Sequence, residues 1–496
     1  MSDATMDNVI ARATAPRHAA QTLRLGPTLW VALAAVVAMS LPNMADPMIR
    51  HDDFPALLAD GDLFWNKTLH EGRWINYFWH LRGIVTPSWL NFAVYQLLWA
   101  VFAAATATVV TRNRGAGFFT LVLAIFILVS PSAMIISLWF NTLTPGLALV
   151  ALFAVLACRV SDRTLTALLP VFVILTFMAY TTYPLLLLAV YLFRQDQRSL
   201  ARLIGILALF TASFIAAVLL TYTLNWLVHG VFGVPLDDWR EATPAADLAG
   251  MIANLPRLWS VMSGFAVRTS FNFEPAVAFH LALFAGATLV LLRRAPLEAL
   301  YLHAGLITGL TLVTAQVLKM GVTVPPRAFI FAWVFYGIAV VRAAQILSED
   351  VTGRGQFSPG LPGRLARNAV VLIAASYLLQ GSILSSLFRP WQAETRELAQ
   401  TLATLPEPIL IVGHPAQIAT ARDAGIQSDK AVPFRLRQLI GRDAILCSEA
   451  SPPCDLPAPS ASSRTITTQS GVTIRAEPTG TVVDFTPAFV PEQTTP

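Results

Sequence analysis

Long apolar runs recur from Thr28 to Leu387, each broken by a short stretch that is polar or contains Pro and Gly. A helix needs about 20 apolar residues to cross a hydrocarbon core of roughly 30 Å, and in lipid only helices or closed barrels satisfy their own backbone. The pattern predicts an all-α polytopic membrane protein of about eleven transmembrane helices, near 28–44, 90–110, 118–137, 144–158, 165–180, 184–193, 203–227, 276–292, 299–317, 327–346 and 369–387. The sixth run is short. It either crosses, extended towards Tyr180, or is re-entrant, in which case every later loop changes side; the basic loops after it favour crossing.

Polar mass on the far side concentrates in two loops, 46–89 and 228–275, and in the tail from 388 onwards. The first loop places Leu57, Leu58, Phe64, Trp65, Leu69, Ile75, Phe78 and Trp79 at helical spacing, the pattern of amphipathic helices lying on a membrane surface. "DLAGMIANLPRLWSVMSGFAV" repeats it in the second loop. The loop "SEDVTGRGQFSPGLPGRLARN" reads as a linker. Beyond Pro390, "WQAETRELAQTLATL" reads as a helix, "PILIVGH" as a buried strand, and "TITTQSGVTIRA" with "TVVDFTP" as hairpin-like strands, so a small α/β appendage is expected.

Composition agrees with the patterning. Of 496 residues, 55% are hydrophobic and only 13% charged, which excludes an ordinary soluble protein. The net charge of +5 suggests nucleic acid only until the cations are located: no basic cluster interleaved with aromatics exists, and they sit in loops between spans. Placing the short basic loops inside assigns Arg12, Arg17, Arg24, Arg112, Arg114, Arg159, Arg163, Arg194, Arg198, Arg202, Arg293, Arg294, Arg354, Arg364 and Arg367 to the cytoplasm. That topology puts the N-terminus inside and the C-terminus outside, in the periplasm of a bacterial inner membrane. The first run reads as an uncleaved signal anchor in preference to a cleaved signal peptide. Of three cysteines, Cys158 sits in a span, while Cys447 and Cys454 lie in the outer tail, bonded or free.

Ionisable groups near a membrane are costly, so each invites a functional reading beside a structural one. Asp52 and Asp53 follow the first span. They either cap a surface helix starting near Pro55 or act as a general base on an acceptor hydroxyl, the second acid raising the pKa of the first or helping to hold a divalent ion. "HEGRWINYFWHLRG" supplies Arg73, His80 and Arg82; "AVRTSFNFEP" supplies Arg268; "LKMGVTVPPRAF" supplies Lys319 and Arg327. These either anchor the chain at the interface or bind a substrate phosphate. No P-loop, CxxC or HExxH pattern occurs.

An N-terminal span, an outer loop opening on "DD" (Asp52 and Asp53), "GR" about twenty residues on (Gly72 and Arg73) and "PPRAF" (Arg327) opening a late span together resemble the GT-C superfamily of membrane glycosyltransferases, most closely the type II Gtr O-antigen glucosyltransferases. The likeness covers about 26–400 in layout. It implies a segment 1–27 in the cytoplasm, a GT-C-like bundle over 28–387 with its outer loops, and a periplasmic region over 388–496 that the family does not explain. It further implies transfer of a hexose such as glucose from a polyprenyl-phosphate donor to a surface glycan or lipid-linked acceptor, with one of Asp52 and Asp53 as base. Membrane lipids are then partners and nucleic acid is not. No cofactor is required on this reading; a metal, if used, would be Mg or Mn at Asp52 and Asp53. A multi-spanning transporter or flippase is the alternative, disfavoured because the spans hold few ionisable groups for an ion relay. An assembly protein binding partners through its tail is a third reading.

Overall fold

The computed structural model describes residues 25–112, 117–195, 197–237, 240–352, 360–448, 454–460, 463–468 and 471–486. Arg12, Arg17, Arg24, Arg114 and Arg354 of the expected basic loops lie outside them. The chain is a multi-pass membrane protein: among the described residues eight helical stretches are long and apolar enough to cross a membrane, and Phe118–Leu128 and Tyr183–Arg194 are shorter apolar helices.

Each apolar run becomes helix. In chain order these are α1 (Gly26–Met44), the loop helices α2 (Phe54–Leu57), α3 (Gly61–Glu71) and α4 (Trp74–His80), then α5 (Ser88–Thr111), α6 (Phe118–Leu128), α7 (Pro131–Ile136), α8 (Phe140–Arg159), α9 (Asp162–Phe177), α10 (Tyr183–Arg194) and α11 (Leu200–His229). The second loop carries α12 (Leu248–Ala253) and α13 (Leu255–Thr269); the bundle closes with α14 (Glu274–Arg294), α15 (Pro296–Met320), α16 (Ile330–Thr352) and α17 (Leu361–Ser386). The run expected as one span over 118–137 is broken. α6 stops at Leu128, and Ser130 caps α7 by accepting from the Ala133 N–H at 3.3 Å.

α10 is a twelve-residue apolar helix. At about 1.5 Å per residue it is too short to face lipid across a bilayer. It does not face lipid: its side chains from Tyr183 to Phe193 are buried in the bundle, and its neighbours approach closely. A Cβ on Gly305 of α15 would lie 2.6 Å from Leu192 and 2.5 Å from Phe335 of α16, so glycine is what lets these helices touch. One end of α10 abuts Tyr180; at the other, Arg194 pairs with Asp162 at 3.2 Å and Arg112 donates to the Gln195 carbonyl. At that second end Glu298 accepts from Arg342 at 2.7 and 3.1 Å, satisfying a buried carboxylate.

The opposite end bears both large loops and the C-terminal unit. There α18 (Arg389–Leu402) leads into β1 (Ile409–Val412), α19 (Ala419–Asp423), α20 (Ala431–Ile440), β2 (Ala444–Leu446), β3 (Arg464–Thr467), β4 (Thr473–Glu477) and β5 (Gly480–Asp484). The sheet order is β2-β1-β5-β4-β3, with β1 parallel to both neighbours and β3, β4 and β5 antiparallel, the α/β appendage that the strand patterns predict. Cys447 and Cys454 are disulfide-bonded, resolving the alternative left open by sequence. In the second loop Leu248, Ile252, Leu255 and Trp259 form an exposed stripe, with Trp259 76% exposed, as expected of a surface-lying segment.

Candidate active site

The double aspartate lies in a 3₁₀ turn, His51–Asp53, that opens directly into α2. With about three residues per turn, adjacent side chains diverge by about 120°, so the two carboxylates cannot share one environment. Asp53 points inward and is fully buried. It accepts from the Thr142 N–H at 2.7 Å, the Asn141 N–H at 3.0 Å and the Asn141 side-chain amide at 2.8 Å. Those backbone donors belong to the first turn of α8, whose own preceding residue, Trp139, supplies no side-chain cap. Asp53 thus caps a helix, but not the one beginning near Pro55 expected from sequence: α2 has no side-chain cap. Burial pushes the Asp53 carboxyl up to about 6, held from rising further by the hydrogen bonds from Thr142 and Asn141.

Asp52 faces the open side, with its side chain 32% exposed. One oxygen accepts the Trp139 indole N–H at 2.6 Å; the other lies 3.3 Å from Lys67 Nζ, which also donates to the Asp52 carbonyl at 2.8 Å. Burial opposes ionisation of Asp52, but Lys67, His51, Arg73 and the Trp139 hydrogen bond outweigh it and hold the carboxyl well below its usual range.

Further cations surround this carboxylate. Gly72 closes α3 in the left-handed conformation at φ 65°, and a Cβ there would lie 2.6 Å from the Thr221 methyl, so glycine is required on both counts. The turn delivers Arg73 to Glu71 at 2.5 Å and over the Tyr180 ring at 5.7 Å. Arg327 precedes α16 and lies 4.0 Å over the Trp139 ring, while Arg50 approaches the same ring at 5.7 Å. Burial lowers the Arg50 guanidinium to about 10, with Asp52 opposing and Arg327 adding to the shift; its Nε is buried with no hydrogen-bond partner among the described residues.

The structure therefore gathers Asp52, Arg73 and Arg327 of the sequence candidates. The others lie elsewhere or are engaged. His80 bonds the Asn76 carbonyl, packs tilted against Phe64 with ring centroids 3.9 Å apart, and is lowered to about 4 by burial. Arg82 donates to the Trp79 and Ala56 carbonyls, both at 3.0 Å, and Lys319 donates to the Ala245 carbonyl at 2.6 Å, fastening the second loop. Arg268 lines a cavity of about 410 Å³ between the bundle and the C-terminal unit. Arg50 lines it too, among mostly apolar side chains that include Met39, Phe92, Trp99 and Ile383. A cavity with largely apolar walls, two guanidinium groups and a single carboxylate, Asp423, suits an amphiphile with an anionic head.

Arg50, Lys67 and Trp139 complete the cluster; Trp139 of "SLWFNTLTP" is a candidate that the sequence offers, whereas Arg50 and Lys67 are absent from the sequence-based set. Arg50 stands two positions before Asp52, and Lys67 falls on the α3 face four residues before Glu71; in a loop rich in surface features neither stands out as a ligand. A divalent cation does not suit the pair. The Asp52 oxygens are engaged by Trp139 and Lys67 and those of Asp53 by α8, and among the described residues no group of three His, Cys, Asp or Glu side chains converges.

No family model matches the chain, and no curated protein matches it. Among solved structures it is similar to crystal structures of ArnT from Cupriavidus metallidurans. The form bound to undecaprenyl phosphate aligns at a TM-score of 0.42 and 12% identity over 86% of each chain. The apo form aligns at 0.39 and 12% over 85% of each.

Proposed function

We propose that this chain is an integral-membrane glycosyltransferase that moves a hexose, such as glucose, from a polyprenyl-phosphate donor to a cell-surface glycan such as O-antigen on the periplasmic side. The observation that carries the reading is the setting of Asp52: an ionised, partly open carboxylate ringed by Lys67, Arg73, Arg50 and Arg327 at the loop-bearing end of a membrane bundle. A lipid-linked donor suits a largely apolar cavity that contains arginines.

In this reaction Asp52 takes the proton of the acceptor hydroxyl, the hydroxyl oxygen forms its bond to the anomeric carbon, and the bond from that carbon to the phosphate oxygen breaks. The electron pair leaves on the phosphate, where guanidinium and ammonium groups stabilise it. Direct displacement inverts the anomeric configuration. A carboxylate held strongly acidic is a weak base, but two features offset this. Bond formation to an oxocarbenium-like centre acidifies the attacking hydroxyl, and a phosphate that engages Lys67 and Arg73 loosens their hold on Asp52. Asp53 fixes α8, and with it Trp139, the residue just before that helix.

Comparing the envelope glycans of wild-type and deletion strains by mass spectrometry tests the reading. A mass of one hexose per acceptor disappears in the deletion strain and returns with the complementing gene. Identical glycan profiles in the two strains would count against it.

A further inference from the structure

The C-terminal unit has no counterpart in the resemblance, yet it grips the segment that carries the site. Between the end of α1 and Asp52 the chain bends at 45–46 and continues without regular secondary structure through 47–50. Asp46 in this segment accepts from Arg435 of α20 at 2.5 Å and lies 3.5 Å from Arg396 of α18. Gln392 donates to the Asn43 side chain at 2.9 Å and to the Asp46 carbonyl, while Asn43 in turn accepts from the Met48 N–H at 2.8 Å. Four residues on, Arg50 donates to the Gly425 carbonyl, and Phe54 stacks on Phe434 at 5.6 Å.

Arg435 is the centre of this grip. It is 1% exposed, lies 5.7 Å over the Trp391 ring, and donates to Gln438 at 3.0 Å as well as to Asp46. A guanidinium this deeply buried is costly unless its carboxylate is in place, so breaking the pair leaves an uncompensated charge. Gly425 shapes the second contact: at φ 66° it adopts the left-handed conformation, and a Cβ on it would lie 3.4 Å from an Arg50 nitrogen.

We propose that the C-terminal unit is a positioning element for the active site, in which Arg435, latched to Asp46, and the Gly425 carbonyl, latched to Arg50, hold the 46–53 segment so that Arg50 and Asp52 meet Trp139. Arg435 touches none of the reacting atoms and acts through Asp46 and the backbone that follows it. The Asp423–Gly425 turn also forms part of the wall of the 410 Å³ cavity, so the unit that fixes the loop borders the space beside it. The inference rests on the glycosyl-transfer reading for its consequence but not for its geometry.

The test uses the full chain in lipid nanodiscs for hydrogen exchange, together with glycan mass spectrometry in the complemented deletion strain. Arg435→Gln is expected to speed amide exchange across 46–53 about tenfold while the bundle helices keep their protection, and to lower hexose transfer about tenfold at matched membrane abundance. Arg435→Lys, which keeps the charge opposite Asp46, retains more of both. Asp52→Asn serves as the reference for lost chemistry: it removes transfer while the Arg435–Asp46 and Arg50–Gly425 contacts stay in place, so exchange across 46–50 is expected to stay close to wild type. Unchanged exchange across 46–53 in Arg435→Gln overturns the proposal, as does equal loss in the Gln and Lys variants. If wild type transfers no hexose while Arg435→Gln still loosens 46–53, the latch stands and the glycosyltransferase reading fails.

Discussion

Asp53 reaches across 88 positions of sequence to Asn141, accepting from its backbone N–H at 3.0 Å and its side-chain amide at 2.8 Å. Together with the 2.7 Å bond from Thr142, this makes Asp53 the cap of α8, and it leaves Asp52 as the carboxylate that meets solvent. Two neighbouring acids thus divide: Asp53 is structural, and on the proposed reading Asp52 is the one left for chemistry.

Removal of the cap is expected to cost stability. Asp53→Ala leaves the Asn141 and Thr142 donors buried without an acceptor, a loss of about 2 kcal/mol. Thermal unfolding of the purified protein checks this; a midpoint equal to wild type would refute the capping role.

The pH dependence of that cost has a definite sign. The Asp53 carboxyl is raised to about 6 from 3.8 by burial, so the folded state holds its proton more tightly than the unfolded chain. Its contribution is fully present below about pH 4 and is lost as pH rises through about 6. The gap in unfolding temperature between wild type and Asp53→Ala should narrow from pH 4 to pH 7. A gap that widens over this range would show that the ionised form is the one the cap favours.

Trp139 links the Asp52 carboxylate to a cation, donating to Asp52 and lying under Arg327. Trp139→Phe keeps the ring and deletes the donor that orients Asp52; the carboxylate becomes more basic but loses its fixed position, and transfer is expected to slow about tenfold as positioning outweighs basicity. Arg327→Lys should also lower transfer, because an ammonium does not lie flat on an indole or grip two phosphate oxygens. Rates equal to wild type in both variants would dissociate this ring from the reaction.

Metal removal gives a further test. With the Asp52 and Asp53 oxygens engaged by protein donors, washing membranes with EDTA should leave hexose transfer unchanged. Loss on chelation, restored by Mg or Mn, would place a cation at the pair.

Much of this was legible in sequence for a physical reason: apolar runs and strand alternation are local, so the spans, the loop helices and the β-sheet of the tail follow from them. The break after Leu128 was less visible because α6 and α7 are both apolar and Ser130 alone marks the boundary. The double aspartate was visible as a site, but its division was not, since it depends on the distant first turn of α8. Loop cations were the least readable. Lys319 and Arg82 bind backbone carbonyls, whereas Arg50 and Lys67 flank the carboxylate, and nothing in residue type or spacing separates these cases.

The most direct measurement complements a deletion strain with Asp52→Asn or Asp53→Asn at matched membrane abundance and compares surface-glycan masses. If Asp52 is the base, Asp52→Asn leaves the hexose missing, whereas Asp53→Asn restores it in proportion to the protein present. Full restoration by Asp52→Asn would contradict the assignment.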